Sequence, residues 1–362
     1  MSAPKPRAAI QEIAVYVPGL SALEGKSKVI KLSSNENAMG SSPKAIAAYR
    51  AAGDDLWRYP DGDSTKLRLA LGKRFGLDPA RIVCGCGSGD LLLLLAQAYI
   101  VPGEEILYSA HGFLLYPIAA RAAGAVPVRV PETNLTASVD AILAAVTPKT
   151  RLVFLANPNN PTGTYVSKSE LRRLRDGLRD DILLVVDAAY IEFARASDCT
   201  SGQELVDGSE NTVMSRTFSK FFGLAGLRLG WAYCPAAVAD VINRIRGPFN
   251  VALPAQAAAV AALEDMEFAA ACKAHNDRWL PWLSDELRGL GIDVPDSQAN
   301  FILARFPNDP KRNADAANAH LNKDGIIVRK VSAYGLPDGL RITIGTEAEM
   351  RAVRDSLAAF MR

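Results

Sequence analysis

The chain has 362 residues, 49% of them hydrophobic and 22% charged, with a net charge of +2. These values sit near the average for globular proteins and exclude a mostly disordered or collagen-like chain. So even a charge balance gives no global electrostatic case for a nucleic-acid or membrane partner. From the N-terminus, residues 1–10 carry Lys5 and Arg7 but no apolar run, so no signal peptide is expected. Residues 1–50 show little strand–helix alternation and read as an arm joining a C-terminal domain. Alternation then sets in: strands are expected at 81–84, 105–108, 125–130, 152–156, 182–187, 212–216 and 230–233, with helices at 90–100, 116–123, 137–146 and 168–178. Such a pattern makes an α/β fold with a largely parallel sheet covered on both faces. The continuously apolar 183–186 suits a buried parallel strand. The stretch 198–210 is the most loop-like. After about residue 248 the pattern changes to a smaller α+β unit. It has a long helix after Pro254, a helix over 268–290 kinked or broken at Pro281, and strands at 300–305, 326–329 and 340–344. The expected division is an arm at 1–50, a large domain at 51–247 and a small domain at 248–362. The most apolar runs, 91–101 and 251–263, are interrupted by Gln97 and by Pro254 and Gln256, and fall short of the roughly 18 residues of a membrane span.

Four segments carry chemistry. Cys84-Gly-Cys-Gly-Ser-Gly-Asp90 joins a strand to a helix. It reads either as a glycine-rich helix cap or as a phosphate cradle of backbone N–H groups at a helix N-terminus. Asn157-Pro-Asn-Asn-Pro-Thr-Gly163 is either an ordinary turn or a ligand loop at the carboxyl end of a strand. Asp187, in Val185-Val-Asp-Ala-Ala-Tyr190, is either a helix N-cap or a carboxylate facing a buried cation. Lys220 sits among apolar residues in Thr217-Phe-Ser-Lys-Phe-Phe-Gly-Leu-Ala-Gly-Leu-Arg228. A solvated lysine is the ordinary reading, whereas a partly buried one has a lowered pKa and becomes a nucleophilic amine. Thr217, Ser219 and Arg228 add hydroxyls and a fixed cation suited to a phosphate dianion. Together the four segments fit a phosphorylated pyridine aldehyde, which needs a lysine, an anion for the ring nitrogen, donors for the phenolic oxygen and a phosphate cup. The five cysteines are an odd number, mostly in apolar settings, which points to reduced thiols and a cytoplasmic location. Cys84-x-Cys86 lacks a second ligand pair, so no metal site is expected.

The sequence resembles the fold-type I pyridoxal-phosphate aminotransferases, and among them the histidinol-phosphate aminotransferase family, over about residues 15–358. The resemblance rests on Ser33-Ser-Asn-Glu-Asn37, Arg58-Tyr-Pro60, the glycine-rich turn and Asn159-Asn-Pro-Thr-Gly163. It continues through Asp187-Ala-Ala-Tyr-Ile-Glu192, Ser219-Lys220 with Gly226-Leu-Arg228, and Leu340-Arg-Ile-Thr-Ile-Gly345. It implies a large pyridoxal 5'-phosphate-binding domain with a mostly parallel sheet flanked by helices, plus a smaller α+β domain. Lys220 would bind the cofactor aldehyde and move the substrate proton, Asp187 would hold the pyridine nitrogen, and Asn160 and Tyr190 the phenolic oxygen. Ser88, Gly89, Thr217, Ser219 and Arg228 would bind the phosphate, Phe113 would lie against the ring, and Tyr59 would reach the neighbouring subunit's phosphate in a homodimer with shared active sites. Arg341, with Arg329 as a second candidate, would bind the substrate's anionic group, and Tyr16 and Asn35 would contact substrate from the arm. The family often has Asp-Glu where this chain has Gly89-Asp90, and Asp-Glu-Ala-Tyr where it has Asp187-Ala-Ala-Tyr190. Neither departure removes a group that transamination requires.

The implied reaction is amino transfer between L-glutamate/2-oxoglutarate and L-histidinol phosphate/imidazole acetol phosphate, in histidine biosynthesis. The alternatives on the same scaffold are an aromatic amino acid aminotransferase and a pyridoxal-phosphate decarboxylase of an amino acid phosphate. A dinucleotide-binding protein using only the glycine turn would leave Lys220, Asn160 and Asp187 without a role.

Overall fold

Apolar runs bounded by turn residues become seven strands of one sheet in the computed structural model, which describes residues 3–362. Residues 1 and 2 of the expected arm lie outside the described residues. In chain order the strands are β1 (Ile82–Gly85), β2 (Glu105–Ser109), β3 (Val126–Val130), β4 (Thr150–Ala156), β5 (Leu183–Asp187), β6 (Thr212–Thr217) and β7 (Gly230–Tyr233). They lie side by side as β1-β7-β6-β5-β4-β2-β3. Every pair is parallel except those of β7, which runs antiparallel to β1 and β6. The expected mostly parallel α/β sheet is therefore present.

Burial follows the period-two geometry of strands. In β5, Leu183 and Val185 pack on one face with Leu91, Leu92 and Leu95 of the helix Ser88–Tyr99. Leu184 and Val186 pack on the other face with Leu171 and Leu174 of the helix Lys168–Gly177. A third core joins Leu67 and Leu71 of the helix Thr65–Phe75 to Phe218, Trp231 and the alanines 255, 258, 259 and 262 of the helix Leu253–Glu264.

The C-terminal part has a three-stranded antiparallel sheet. Its strands are β8 (Phe301–Arg305), β9 (Arg329–Lys330) and β10 (Gly339–Thr343), in the order β8-β10-β9. Leu340 and Ile342 of β10 face a core with Leu283, Leu321 and Val353, which turns Arg341 to the opposite face. Two residues of the arm, Ile30–Lys31, pair in parallel with Ile326–Ile327 and fasten the arm here.

Some expectations need correction. The strand expected at 326–329 is two: 326–327 pairs with the arm and 329–330 with β10. The residues before 51 contain a helix, Pro43–Ala51, started by Pro43 in its first turn and by Ser42, whose hydroxyl accepts from the Lys44 and Ala45 N–H groups. The helix Met266–Gly289 runs on through Pro281 without a break. The loop expected at 198–210 holds a short helix, Gln203–Asp207.

A buried ion pair ties β6 to the 3-10 turn Ile191–Phe193 that follows β5. Arg216 Nη2 donates to Glu192 Oε1 at 2.7 Å, and the guanidinium lies 4.0 Å from the Phe75 ring centroid. Both side chains are at most 10% exposed. Removing one partner strands the other charge, which costs about 3–5 kcal/mol in a buried pair. Arg216→Met is therefore expected to lower the melting temperature, and adding Glu192→Gln should recover much of the loss. An unchanged melting temperature in the single variant would deny the pair its structural role.

Candidate active site

Parallel α/β sheets place ligands beyond the carboxyl ends of their strands. Here the segments after β1, β4, β5 and β6 converge on a cavity of about 410 Å³. Its lining includes Ser88, Gly89, Phe113, Asn160, Asp187, Tyr190, Thr217, Ser219, Lys220 and Arg228, together with Tyr16, Asn35, Arg329 and Arg341. Every site residue expected from sequence is thus brought together except Tyr59. That ring is 80% exposed and stacks on Phe249, with centroids 4.7 Å apart, away from the cavity.

Lys220 leaves the end of the β6 segment and donates from Nζ to the Ser34 carbonyl at 2.9 Å. Burial, reinforced by the nearby Arg341 cation, lowers its pKa to about 7. Asp187 ends β5. Its Oδ2 accepts from the Tyr116 hydroxyl at 3.0 Å, while its Oδ1 is buried with no partner among the described residues. Burial raises its pKa to about 6, against the opposing hydrogen bonds from Tyr116 and the Ala189 N–H. Tyr190 packs edge-on against Phe301, and its hydroxyl accepts from Asn35 Nδ2 at 2.9 Å. Phe113 meets Tyr116 edge-on at 6.0 Å.

An anion cradle lies beside Lys220. The helix Ser88–Tyr99 begins at Gly87, whose φ of 89° favours glycine. A Cβ on Gly230 of the adjacent β7 would strike the Ser88 backbone nitrogen, so glycine there lets the turn settle on the sheet. Arg228 reaches across the turn, donating from Nη1 to Ser219 Oγ at 3.3 Å and to the Ala225 carbonyl at 2.8 Å.

The arm crosses the cavity's other side. Asn35 is held by Thr343, whose Oγ1 accepts from its N–H at 3.0 Å, and by Asn300 Nδ2 on its carbonyl at 3.2 Å. Arg341 donates from Nη1 to Asn160 Oδ1 at 2.6 Å and from Nη2 to the Ser33 carbonyl at 2.8 Å. Arg329 donates to the Val17 carbonyl at 2.8 Å and lies near the Tyr16 ring. Sequence reading did not single out Tyr116, Tyr334 or the Ser33 and Ser34 carbonyls. Tyr116 was within reach, since it starts an expected helix three residues after Phe113; the others depend on how the arm folds back. The Cys86 thiol donates to the Asn250 carbonyl at 2.6 Å.

These groups form a donor set for one ligand shape. A lysine amine and an unpartnered buried carboxylate oxygen line the same cavity as a cradle with a helix N-terminus, a serine hydroxyl and an arginine. A phosphorylated pyridine aldehyde fits that set, because a buried carboxylate oxygen without a partner calls for a cation such as a protonated ring nitrogen.

The comparisons with known proteins agree with this geometry. The family model described as aminotransferase class I and II matches residues 27–357. The chain belongs to that family and, within it, to the histidinol-phosphate aminotransferases. It is 58% identical over 361 residues to the histidinol-phosphate aminotransferase of Paramagnetospirillum magneticum, covering 100% of this chain and 99% of that one. It is 54% identical to that of Rhodospirillum centenum, with 100% of both chains covered. The crystal structure of histidinol-phosphate aminotransferase from Sinorhizobium meliloti in complex with pyridoxal-5'-phosphate superposes with a TM-score of 0.91, at 27% identity, over 100% of this chain and 98% of that one.

Proposed function

We propose that the chain is a pyridoxal 5'-phosphate-dependent aminotransferase that moves an amino group between L-glutamate/2-oxoglutarate and L-histidinol phosphate/imidazole acetol phosphate, a step of histidine biosynthesis. The observation that carries the reading is one cavity holding the Lys220 amine, the unpartnered Asp187 Oδ1 and the Arg341 guanidinium.

When bound, the cofactor supplies an amine carrier and an electron sink. The chain's own residues do the rest. Lys220, with its lowered pKa, offers a neutral amine near pH 7 and moves the proton at the substrate's Cα. Asp187 Oδ1, which lacks a partner, would accept from the ring nitrogen and keep it protonated, while Tyr116 orients the carboxylate through Oδ2. Tyr190 and Asn160 would hydrogen-bond the phenolic oxygen, and Phe113, on the same cavity, would pack against the ring. The Ser88 and Gly89 N–H groups, Thr217, Ser219 and Arg228 bind the phosphate. Arg341 takes the substrate anion: a charged oxygen is a stronger acceptor than the neutral Ser33 carbonyl it displaces. Tyr16, Asn35 and Arg329 line the substrate's side, so the arm excludes water from it.

The active assembly is a homodimer in this reading. Trp57 and Tyr59 are at least 74% exposed, and Tyr59 stacks on Phe249, aromatic surface that a second copy would cover, with Tyr59 reaching the partner's phosphate. The arm at 1–50, the large domain at 51–247 and the small domain at 248–362 remain the proposed division. Five free cysteines and the absence, among the described residues, of a helix long and apolar enough to cross a membrane support a cytoplasmic location.

The test is substrate preference. Purified holoenzyme is offered L-histidinol phosphate and L-phenylalanine as amino donors, with 2-oxoglutarate as acceptor. A higher kcat/KM for histidinol phosphate is expected. A preference for phenylalanine would favour the aromatic aminotransferase instead, and carbon dioxide release without glutamate formation from a third substrate, L-threonine phosphate, would identify a decarboxylase.

A further inference from the structure

Two like charges stand directly opposite each other in the small sheet: Arg329 of β9 pairs with Arg341 of β10. Like charges across an antiparallel pair repel, so the arrangement calls for an anion between them. Tyr334 lies beside them. It ends the short 3-10 turn Ser332–Tyr334, is 3% exposed, and lines the same cavity. Its ring is packed with Leu303, Val331 and Leu336. Its carbonyl accepts from Arg129 Nη2 at 3.2 Å, and Arg129 Nε also donates to the Ala110 carbonyl at 2.6 Å, so the turn is fixed to the loop before Phe113. Gly335, at φ 83°, has no Cβ to block that guanidinium.

Burial raises the Tyr334 pKa, and the Arg341 and Arg329 cations lower it less, so the hydroxyl keeps its proton at neutral pH. Guanidinium groups only donate. The Tyr334 hydroxyl, on the same cavity as Arg329 and Arg341, can therefore only accept from them, which leaves its own hydrogen for another acceptor, and none takes it among the described residues. The result is a rigid donor beside two arginines. A carboxylate has two oxygens, which one arginine fork satisfies; a phosphate ester has three terminal oxygens and needs further donors.

We propose that Tyr334 is a substrate-binding residue that selects a phosphate ester over a carboxylate, donating to the third phosphate oxygen between Arg329 and Arg341. This rests on the histidinol-phosphate reading above. A donor of this kind acts alike in the ground and transition states, so its loss appears in KM and leaves kcat nearly unchanged.

The experiment compares Tyr334→Phe with the parent holoenzyme in both half-reactions. The substitution keeps the buried ring, and an unchanged melting temperature checks the fold. The kcat/KM for L-histidinol phosphate is expected to fall roughly 10- to 100-fold, as for a lost hydrogen bond to a charged group, through KM. The kcat/KM for L-glutamate should stay close to the parent's. Equal losses for both substrates, or no loss for either, would overturn the proposal. A parent enzyme that does not turn over histidinol phosphate at all gives a different result: it overturns the function reading, and the proposal with it. If the variant melts early, Arg129→Lys, which leaves the phenol in place but weakens its anchor, should raise the same KM by a smaller factor; an unmoved KM there counts against Tyr334.

Discussion

Lys220→Ala is expected to abolish amino transfer while leaving the protein folded. Lys220 is the only lysine lining the cavity among the described residues, so no second amine stands ready to replace it. The loss should exceed the roughly 10²–10⁴-fold that a positioned acid–base group contributes, because the same amine also binds the cofactor aldehyde. The sign of the stability effect follows from the pKa of about 7 against a lysine's ordinary 10.5. Between those two values the unfolded chain holds a proton that the folded chain has released, so this residue's burial makes folded stability rise with pH across that window. Its destabilising effect is greatest below about pH 7. Cofactor-free Lys220→Ala should therefore melt no lower than the cofactor-free parent at pH 7, which differential scanning calorimetry would check. The parent's uptake of pyridoxal 5'-phosphate should slow as pH falls below about 7, where the amine is protonated. Parent-level turnover in the variant would defeat the assignment.

The contrast between Lys220 and Tyr334 shows what was legible in the sequence. Asp187 and Asn160 lie at or just after the ends of strands with a continuous apolar run, Lys220 lies three residues beyond β6, and strand ends in a parallel sheet converge by topology alone. Local pattern thus placed them. Arg341 was legible for another reason, since it sits between Leu340 and Ile342 with the alternation of a half-buried strand. Tyr334 lies in a turn without periodicity, and its place is set by Arg129, more than 200 residues away in sequence. The pairing of Ile30–Lys31 with Ile326–Ile327 was hidden for the same reason: two-residue strands carry almost no local signal, and their partner is remote. The helix Pro43–Ala51 is different. Its Ser-Pro start was readable, but it was absorbed into the arm because no strand precedes it at the spacing of an α/β unit. Tyr59, named only through the resemblance, is exposed and stacks on Phe249 outside the cavity.

Asp187→Asn should separate the charge of this group from its shape. The amide keeps an oxygen for the Tyr116 hydroxyl, so the side chain's position is retained while its negative charge is lost. Breaking a buried ion pair costs about 3–5 kcal/mol, which is roughly 10²–10⁴-fold in rate or affinity. A drop of that size is expected in turnover and in affinity for pyridoxamine 5'-phosphate, whose binding does not require the Lys220 nucleophile. The pH dependence gives an independent check. Burial holds the Asp187 pKa at about 6 in the cofactor-free protein, above an aspartate's ordinary 3.8. Between those values the folded chain holds a proton that the unfolded chain has released, so stability from this group falls as pH rises through about 4 to 6. The carboxylate that forms above about pH 6 lacks a cation, and a protonated ring nitrogen supplies one. Affinity for pyridoxamine 5'-phosphate should therefore weaken in the parent as pH falls below about 6, and Asp187→Asn should flatten that limb. If the limb persists in the variant, a different group keeps the ring nitrogen protonated, and the unpartnered Oδ1 has some other purpose.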